Sequence, residues 1–448
     1  MASENKMGTM PEGRLIITMS FPIMLSMLVQ ALYNIVDSAF VARISEDALT
    51  AVSLAFPVQL LMIAVATGTG VGVNALLSRR LGQKKQEEAN AVAVNGVFLS
   101  VCFWLVFAVL GLLFGRGFIT LFTDVPAVID MGSSYVTVVT VASCGVFLLF
   151  VAERLMQATG NTVYHMVTQL IGAVLNCILD PIMIFGLLGF PALGTTGAAL
   201  ATVLSQIIAM GIGFFINVRF NHDVRLHVRG FRPNGGILGE IVRIGLPAAV
   251  QQSLLSILTV GLNRILMPFS QTAVSFYGVY YKLQNFLFMP IYGLNNALIP
   301  MVGYNFGAKK RRRIERITRY ALYLAVGIMA AGTVLFELIP VPLLRLFEAS
   351  DAMLSIGVPA IRIISLSFCF AGASVILSGC MQGLGRGSES LWVALIRQLI
   401  VILPAAVLLS RLSLTAVWFA FLLAEAVGLA AAIVLHRHVT RRLLEPYK

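Results

Sequence analysis

The sequence predicts an all-α membrane protein: twelve transmembrane helices in two pseudo-symmetric six-helix bundles, arranged as parallel repeats around a central cavity. Three observations predict it: a scarcity of charge, a dozen long apolar runs, and a repeat between the two halves. Of the 448 residues, 58% are hydrophobic and only 12% are charged. That is about half the charged share of an ordinary soluble domain, so the polar surface of soluble domains cannot be built. Apolar stretches of ~18 residues or more read as membrane helices. The spans run approximately 14–42, 49–79, 91–115, 132–157, 161–189, 194–218, 237–267, 272–303, 316–338, 355–382, 387–410 and 412–436. A run such as VFLSVCFWLVFAVLGLL (Val97 to Leu113) lacks the alternation of a barrel strand, so the spans are helices. The connecting loops are too short to hold an extramembrane domain.

Charge sets the expected orientation. With the N-terminus inside, about 25 of the 32 Lys and Arg residues fall on cytoplasmic segments. The outer loops keep Arg43, Arg116, Arg264, Arg345, Arg362 and Arg411, and Lys282 is placed within a span. By the positive-inside rule both termini are cytoplasmic. The net charge of +12 is therefore assigned to the membrane surface, with KKRRRIER (Lys309 to Arg316) against anionic headgroups, and not to nucleic acid. The first 13 residues are polar, so no cleavable signal peptide is expected. Cys102, Cys144, Cys177, Cys369 and Cys380 all lie in apolar spans without ligand spacing, which predicts neither disulfide nor metal centre.

A shift of about 225 residues aligns the halves. Phe21-Pro22 falls on Leu246-Pro247, LGQKKQEEA (Leu81 to Ala89) on FGAKKRRRI (Phe306 to Ile314), and MQATG (Met156 to Gly160) on MQGLG (Met381 to Gly385). AVS at Ala51 meets AVS at Ala273 at an offset of 222, which predicts a shorter first outer loop in the second half. Six spans per half is an even number, so the repeats are parallel. Such halves enclose a cavity between lobes that rock. The expected organisation is an N-terminal lobe over 1–218, a polar, basic, Gly-rich cytoplasmic linker over 219–236, and a C-terminal lobe over 237–448.

Acids well inside a span are functional candidates, because burying their charge is costly. Asp37, Asp180 and Glu425 are the three. Gln30, Asn34 and Asp37 share one helical face at i, i+4 and i+7, with Tyr33 beside them. Gln169, Asn176 and Asp180 share another, and Thr202 and Gln206 a third. At ~1.5 Å per residue, Asp37, Asp180 and Thr202 lie roughly 8, 13 and 12 Å inside the outer ends of their helices. Two carboxyls, an amide and a hydroxyl can therefore converge at one level. Two carboxyls in an apolar site hold a proton more readily than solvated ones, and the same oxygens could ligate Na⁺. Pro181 removes a backbone donor beside Asp180 and allows a bend.

Glu425, aligned with Gln206, is read chiefly as a helix-to-helix hydrogen-bonding group and secondarily as a coupling residue. Lys282 either snorkels or lines the cavity. Gln252, Ser256, Thr259 and Asn263 in the seventh span form an uncharged stripe, and Ser367, Ser374, Ser378 and Gln382 in the tenth form another. Each lines a cavity or packs helices. The 18 Met and 28 Phe residues are read mainly as packing. No nucleotide-binding, zinc-hydrolase or serine-hydrolase motif is present, so no enzyme is expected.

YNIVD (Tyr33 to Asp37), NCILDP (Asn176 to Pro181), GAALATVLSQ (Gly197 to Gln206), RLGQKKQEEA (Arg80 to Ala89) and MQATGNT (Met156 to Thr162) together resemble the multidrug and toxic compound extrusion (MATE) family over essentially the whole chain. The acid placement resembles its DinF-like branch. The resemblance implies a secondary antiporter of a prokaryotic plasma membrane. It would export amphipathic, often cationic compounds in exchange for H⁺ or Na⁺, with no cofactor, as a monomer. It also implies a coupling site at Asp37, Asn176, Asp180 and Thr202. Candidate cavity residues are Gln30, Tyr33, Asn34, Gln206, Gln252, Asn263, Lys282 and Gln382. The acids of the NorM-like branch in the seventh and tenth spans are missing, which favours H⁺. A lipid-linked saccharide flippase of a related superfamily, or a non-transporting protein of the same fold, are the alternatives.

Overall fold

The structure is a computed structural model that describes residues 5–227 and 231–447, so positions 228–230 of the expected linker lie outside the described residues. A short turn, α1 (Lys6–Thr9), precedes three long helices, α2 (Glu12–Ala42), α3 (Glu46–Gly82) and α4 (Gln86–Thr120). There follow α5 (Pro126–Val141) and α6 (Cys144–Ala158), then α7 (Thr162–Phe185) and α8 (Gly194–Arg219). The second half contains α9 (Gly235–Leu266), α10 (Gln271–Gly307), α11 (Arg311–Leu338), α12 (Pro340–Arg345), α13 (Asp351–Ser365) and α14 (Phe368–Gly383). It ends with α15 (Gly387–Leu395), a π-helical turn at Ile396–Val401, α16 (Ile402–Ser410) and α17 (Leu414–Leu444). Among the described residues, ten helical stretches are long and apolar enough to cross a bilayer alone. The pairs α5–α6 and α13–α14, bent by 42° and 48°, complete the twelve spans.

The duplication is visible in backbone detail. Helices α3 and α10 each have 37 residues and start 225 positions apart, behind Ser45 and Ser270. Each serine hydroxyl accepts from the backbone N–H three residues on, which satisfies an otherwise unpaired helix donor. Lys84 and Lys309 both take left-handed conformations, with φ of 59° and 57°. Around them the next N–H donates to Arg80 in one half and Asn305 in the other, both through the carbonyl. At the two bends Ser143 Oγ donates to the Thr140 carbonyl and Ser367 Oγ to that of Ile364, each at 2.7 Å.

This register corrects one expectation. The first outer loop is not shortened in the second half; the AVS match is a chance recurrence of common helix residues, and the capping serines fix the true offset. The shortened connection is the last one, 186–193 in the first half against 411–413 in the second. A second divergence lies at Pro340. Helix α4 runs unbroken to Thr120, whereas its counterpart splits into α11 and α12 because Pro340 lacks an N–H and forces Ile339 out of helical geometry, to φ −126° and ψ 45°.

By compactness the chain forms two units, one of Leu25–Ala249 and one of the residues up to Met24 together with those from Val250 onward. The boundaries fall inside α2 and α9, a turn or less beyond Pro22 and Pro247. This division differs from that of the sequence repeat, since one end segment of each of these helices belongs with the other unit. In the second unit the basic run turns partly inward. Lys310 Nζ donates to the Gly8 carbonyl at 2.9 Å, and the Arg313 guanidinium to that of Met10 at 2.7 Å. Arg312, Arg316 and Arg319 stay exposed.

In the first unit α3 and the start of α9 meet backbone to backbone. A Cβ on Gly72 would strike the Ile241 carbonyl, and one on Gly68 the Gly245 carbonyl and Ala249. Neither obstacle is a flexible side chain. Gly72→Val is therefore expected to destabilise the protein by about 1–3 kcal/mol, read as a lower thermal midpoint in detergent. An unchanged midpoint would show that the two helices part without cost.

Candidate functional site

The first unit gathers polar side chains from α2, α7 and α8 inside an apolar shell. Helices α7 and α8 are brought together at Gly197, where any Cβ would meet the Met183 carbonyl. Two turns above, Asn176 on α7 faces Thr202 on α8. The Asn176 Nδ2 amide donates to Asp180 Oδ1 and to Thr202 Oγ1, both at 3.4 Å. Asp180 is fully buried, Asn176 nearly so, and Thr202 buried. Asp37 on α2 is half-buried, its carboxyl within hydrogen-bonding reach of the Asp180 carboxyl when one of the two carries a proton. Helix α7 continues unbroken through Pro181.

Three oxygens in this cluster, Asp37 Oδ1, Asp180 Oδ2 and Asn176 Oδ1, are buried without a hydrogen-bond partner. Buried polar atoms are almost always satisfied, so three adjacent exceptions leave acceptor positions open in this cluster. Tyr33, one turn before Asp37, and Tyr135 on α5 both lie close enough to feel the two aspartates. The Tyr135 hydroxyl accepts from Gln59 Nε2 at 3.1 Å. Among the described residues no group of three or more His, Cys, Asp or Glu side chains is spaced to hold a metal. Any cation here would rest on two carboxylates with amide and hydroxyl oxygens.

The other sequence candidates are dispersed. Gln30 accepts from Gln169 Nε2 at 2.7 Å, linking α2 to α7. Asn34 is exposed, and Gln206 is half-buried with its Cβ against Gly145. In the second unit Gln382 is buried in an amide knot, donating to Gln251 Oε1 at 3.1 Å and to Ser390 Oγ at 3.0 Å. The neighbouring Gln252 is half-buried. Asn263 is half-buried, with an unpartnered Oδ1. Lys282 is exposed and its ammonium sits 6.0 Å from the Phe347 ring centroid, beyond the end of α12, which matches snorkelling. Thr259 and Ser374 bond carbonyls of their own helices.

Arg397 is the residue that sequence reasoning missed. It had been counted with the cytoplasmic charges, yet it sits in the π turn midway along the eleventh span. Its guanidinium donates through Nε to Glu425 Oε2 at 2.7 Å and through a terminal nitrogen to Oε1 at 2.9 Å. Glu425 is thus an ion-pair partner between helices. A lone Arg in an apolar run, with an acid mid-span in the next helix, was the available cue. The Arg397 stem lies flush on Gly428, where a Cβ would collide with it.

Comparison with known proteins adds to this geometry. The MatE family profile matches twice, over residues 22–182 and 247–408, two copies displaced by 225 residues. Curated relatives include the multidrug export protein MepA of Staphylococcus haemolyticus, 27% identical over 95% of this chain and 93% of that protein. MepA of Staphylococcus aureus is 26% identical over 93% and 91%. Among solved structures, a MATE protein in complex with MaL6 superposes with a TM-score of 0.91, 26% identity and 99% coverage of both chains. An outward-facing multidrug resistance MATE transporter gives 0.91 at 26% identity, covering 99% and 98%. A Pyrococcus furiosus transporter of the same superfamily, described as having a binding pocket of reverse polarity, gives 0.91 at 25%, covering 100% and 99%.

The Arg397–Glu425 pair generates an asymmetric expectation. Glu425→Gln leaves a buried guanidinium that cannot shed its charge, at a cost of about 3–5 kcal/mol. Arg397→Met costs less, because the remaining carboxyl can take up a proton, and the double variant recovers most of the loss. Thermal midpoints of the three variants check this; equal losses that simply add would refute it.

Proposed function

The chain belongs to the MatE family, and on that premise we propose that it is a secondary active antiporter of a prokaryotic cell membrane that exports amphipathic, often cationic organic compounds. The observation that carries this reading is the Asp37–Asp180 pair, whose two unpartnered oxygens stand with a third on Asn176, beside Thr202. Export follows from alternating access: the two six-helix halves, taken as 1–218 and 237–448, expose the carboxyl pair first to one side and then to the other. Both termini are assigned to the cytoplasm, and the protein to a monomer.

The coupling ion is H⁺, with Na⁺ as the competing occupant. When the pair faces outward it takes up a proton, which the neighbouring carboxyl and the Asn176 amide can accommodate. Facing inward it gives the proton up, and the restored negative charge favours a cationic substrate over water. A charge crossing the membrane gains ~2.3 kcal/mol per 100 mV, in addition to any pH gradient. The set of acceptors supports either ion, because all of them are oxygens. A flippase reading would need free basic groups for a pyrophosphate; the mid-membrane Arg397 is already held by Glu425.

Asp37→Asn and Asp180→Asn are each expected to abolish gradient-driven efflux of a cationic dye from proteoliposomes while leaving expression and melting behaviour largely intact. Full activity in either variant removes that residue from the coupling site. Replacing Na⁺ by K⁺ under an imposed pH gradient separates the ions: an unchanged rate supports H⁺, and a collapse assigns Na⁺.

A further inference from the structure

Helix α7 carries more than Asn176 and Asp180. Thr162, His165, Gln169, Ala173, Asn176 and Asp180 recur at three- and four-residue steps, so they share one face over about 27 Å. Each of the five polar members has at least one buried atom without a hydrogen-bond partner: Thr162 Oγ1, both ring nitrogens of His165, Gln169 Oε1, Asn176 Oδ1 and Asp180 Oδ2. Around His165 the orphans continue onto Asn74 Oδ1 of α3, and Gln157 Nε2 and Arg154 Nε of α6. His165 is 1% exposed and Glu153 7%. The His165 Nδ1 stands 3.7 Å from Glu153 Oε2, too far for a direct hydrogen bond. Buried polar atoms that lack protein partners are where internal water resides, each water typically making about three hydrogen bonds.

The second unit supplies an internal comparison. At the duplicated positions 225 residues on stand Gly387, Ser390, Ala394, Val401 and Ala405 in place of Thr162, His165, Gln169, Asn176 and Asp180. Ser378 replaces Glu153, while Gln382 keeps the place of Gln157. There the amide is satisfied by Gln251 and Ser390. The scaffold therefore does not require a polar face or a buried Glu–His pair at this place. Both occur only in the half that holds the aspartates.

We propose that Glu153 and His165 form a second proton-binding site, joined to Asp180 by internal water along the polar face of α7, through which the proton passes between Asp180 and the aqueous phase at the α6–α7 end. This rests on proton coupling at Asp180. In the release step, the Asp180 O–H breaks as a water O–H forms, and the charge defect moves by the same exchange past Asn176 and Gln169. His165 accepts at one ring nitrogen and donates from the other, and the Glu153 carboxylate becomes the acid before losing the proton to bulk water. The net change is one proton moved: each water exchanges one O–H for another, and His165, left as its other tautomer, is restored by a ring flip. The further charged side chain whose field reaches both groups, among the described residues, is Arg154 on α6, held by Gln157 Oε1 at 2.7 Å. Asn74 is the uncharged neighbour from α3, donating to the same Gln157 oxygen.

The test uses the full-length protein in liposomes with a cationic dye and an imposed pH gradient. Glu153→Gln and His165→Asn are each expected to slow gradient-driven transport at least about tenfold. They should also flatten its dependence on internal pH between about pH 6 and about pH 8. Glu153→Asp, which keeps a carboxylate, should retain the pH dependence at reduced rate. Monodispersity and melting midpoints, measured on every variant, separate a relay defect from misfolding. If Asp180→Asn abolishes transport while Glu153→Gln and His165→Asn keep the wild-type rate and pH profile, the relay is overturned and coupling at Asp180 stands. If Asp180→Asn still transports under the pH gradient, the coupling reading itself fails.

Discussion

A charged or ionisable group inside a membrane bundle persists only where a second group shares its charge or its proton. That constraint accounts for most of what distinguishes the two halves. The first unit meets it with the Asn176 amide, which ties Asp180 to Thr202 and leaves the facing Asp37 carboxyl to complete the set. The second unit meets it with a closed bidentate pair, Arg397 and Glu425. One arrangement keeps open acceptor positions; the other fills them. The proposed exchange chemistry draws on the first, and helix pairing on the second.

The duplicated scaffold makes that contrast interpretable. Capping serines, left-handed lysines and serine-backed bends recur at a nearly constant displacement, so the backbone was copied with little change. What diverged is the chemistry carried on it. Glycine and bulk trade places between the copies: Gly70 lies under Arg154 in one, whereas Gly379 lies under Asn295 in the other, at matching positions. Space for a polar side chain was preserved while the helix that supplies it changed.

Much of this was legible in the sequence. Hydropathy reports spans because backbone groups in lipid must be satisfied within a helix, and helical spacing put Asn176 and Asp180 on one face. Depth arithmetic then brought Asp37 and Thr202 to the same level. The rest was hidden for specific reasons. Arg397 escaped because a single Arg inside LIRQLIV was counted with the cytoplasmic charges, although only its pairing partner on another helix explains it. Glu153 and His165 escaped because they flank a predicted loop and look like span-end residues. Their burial comes from α6 packing against α3, α7 and α8, which no local pattern encodes. The AVS match misled because three common helix residues carry too little information to set a register.

The contact between the Arg397 stem and Gly428 ties three positions into one heritable trait. A lineage abandoning the guanidinium would have to lose it first, since a solitary carboxyl can neutralise itself whereas a solitary guanidinium cannot. Only afterwards could the acid at 425 drift, and with the stem gone a methyl group at 428 would find room. Descendants are thus expected to inherit the trio whole or to have lost the guanidinium before either of its two companions.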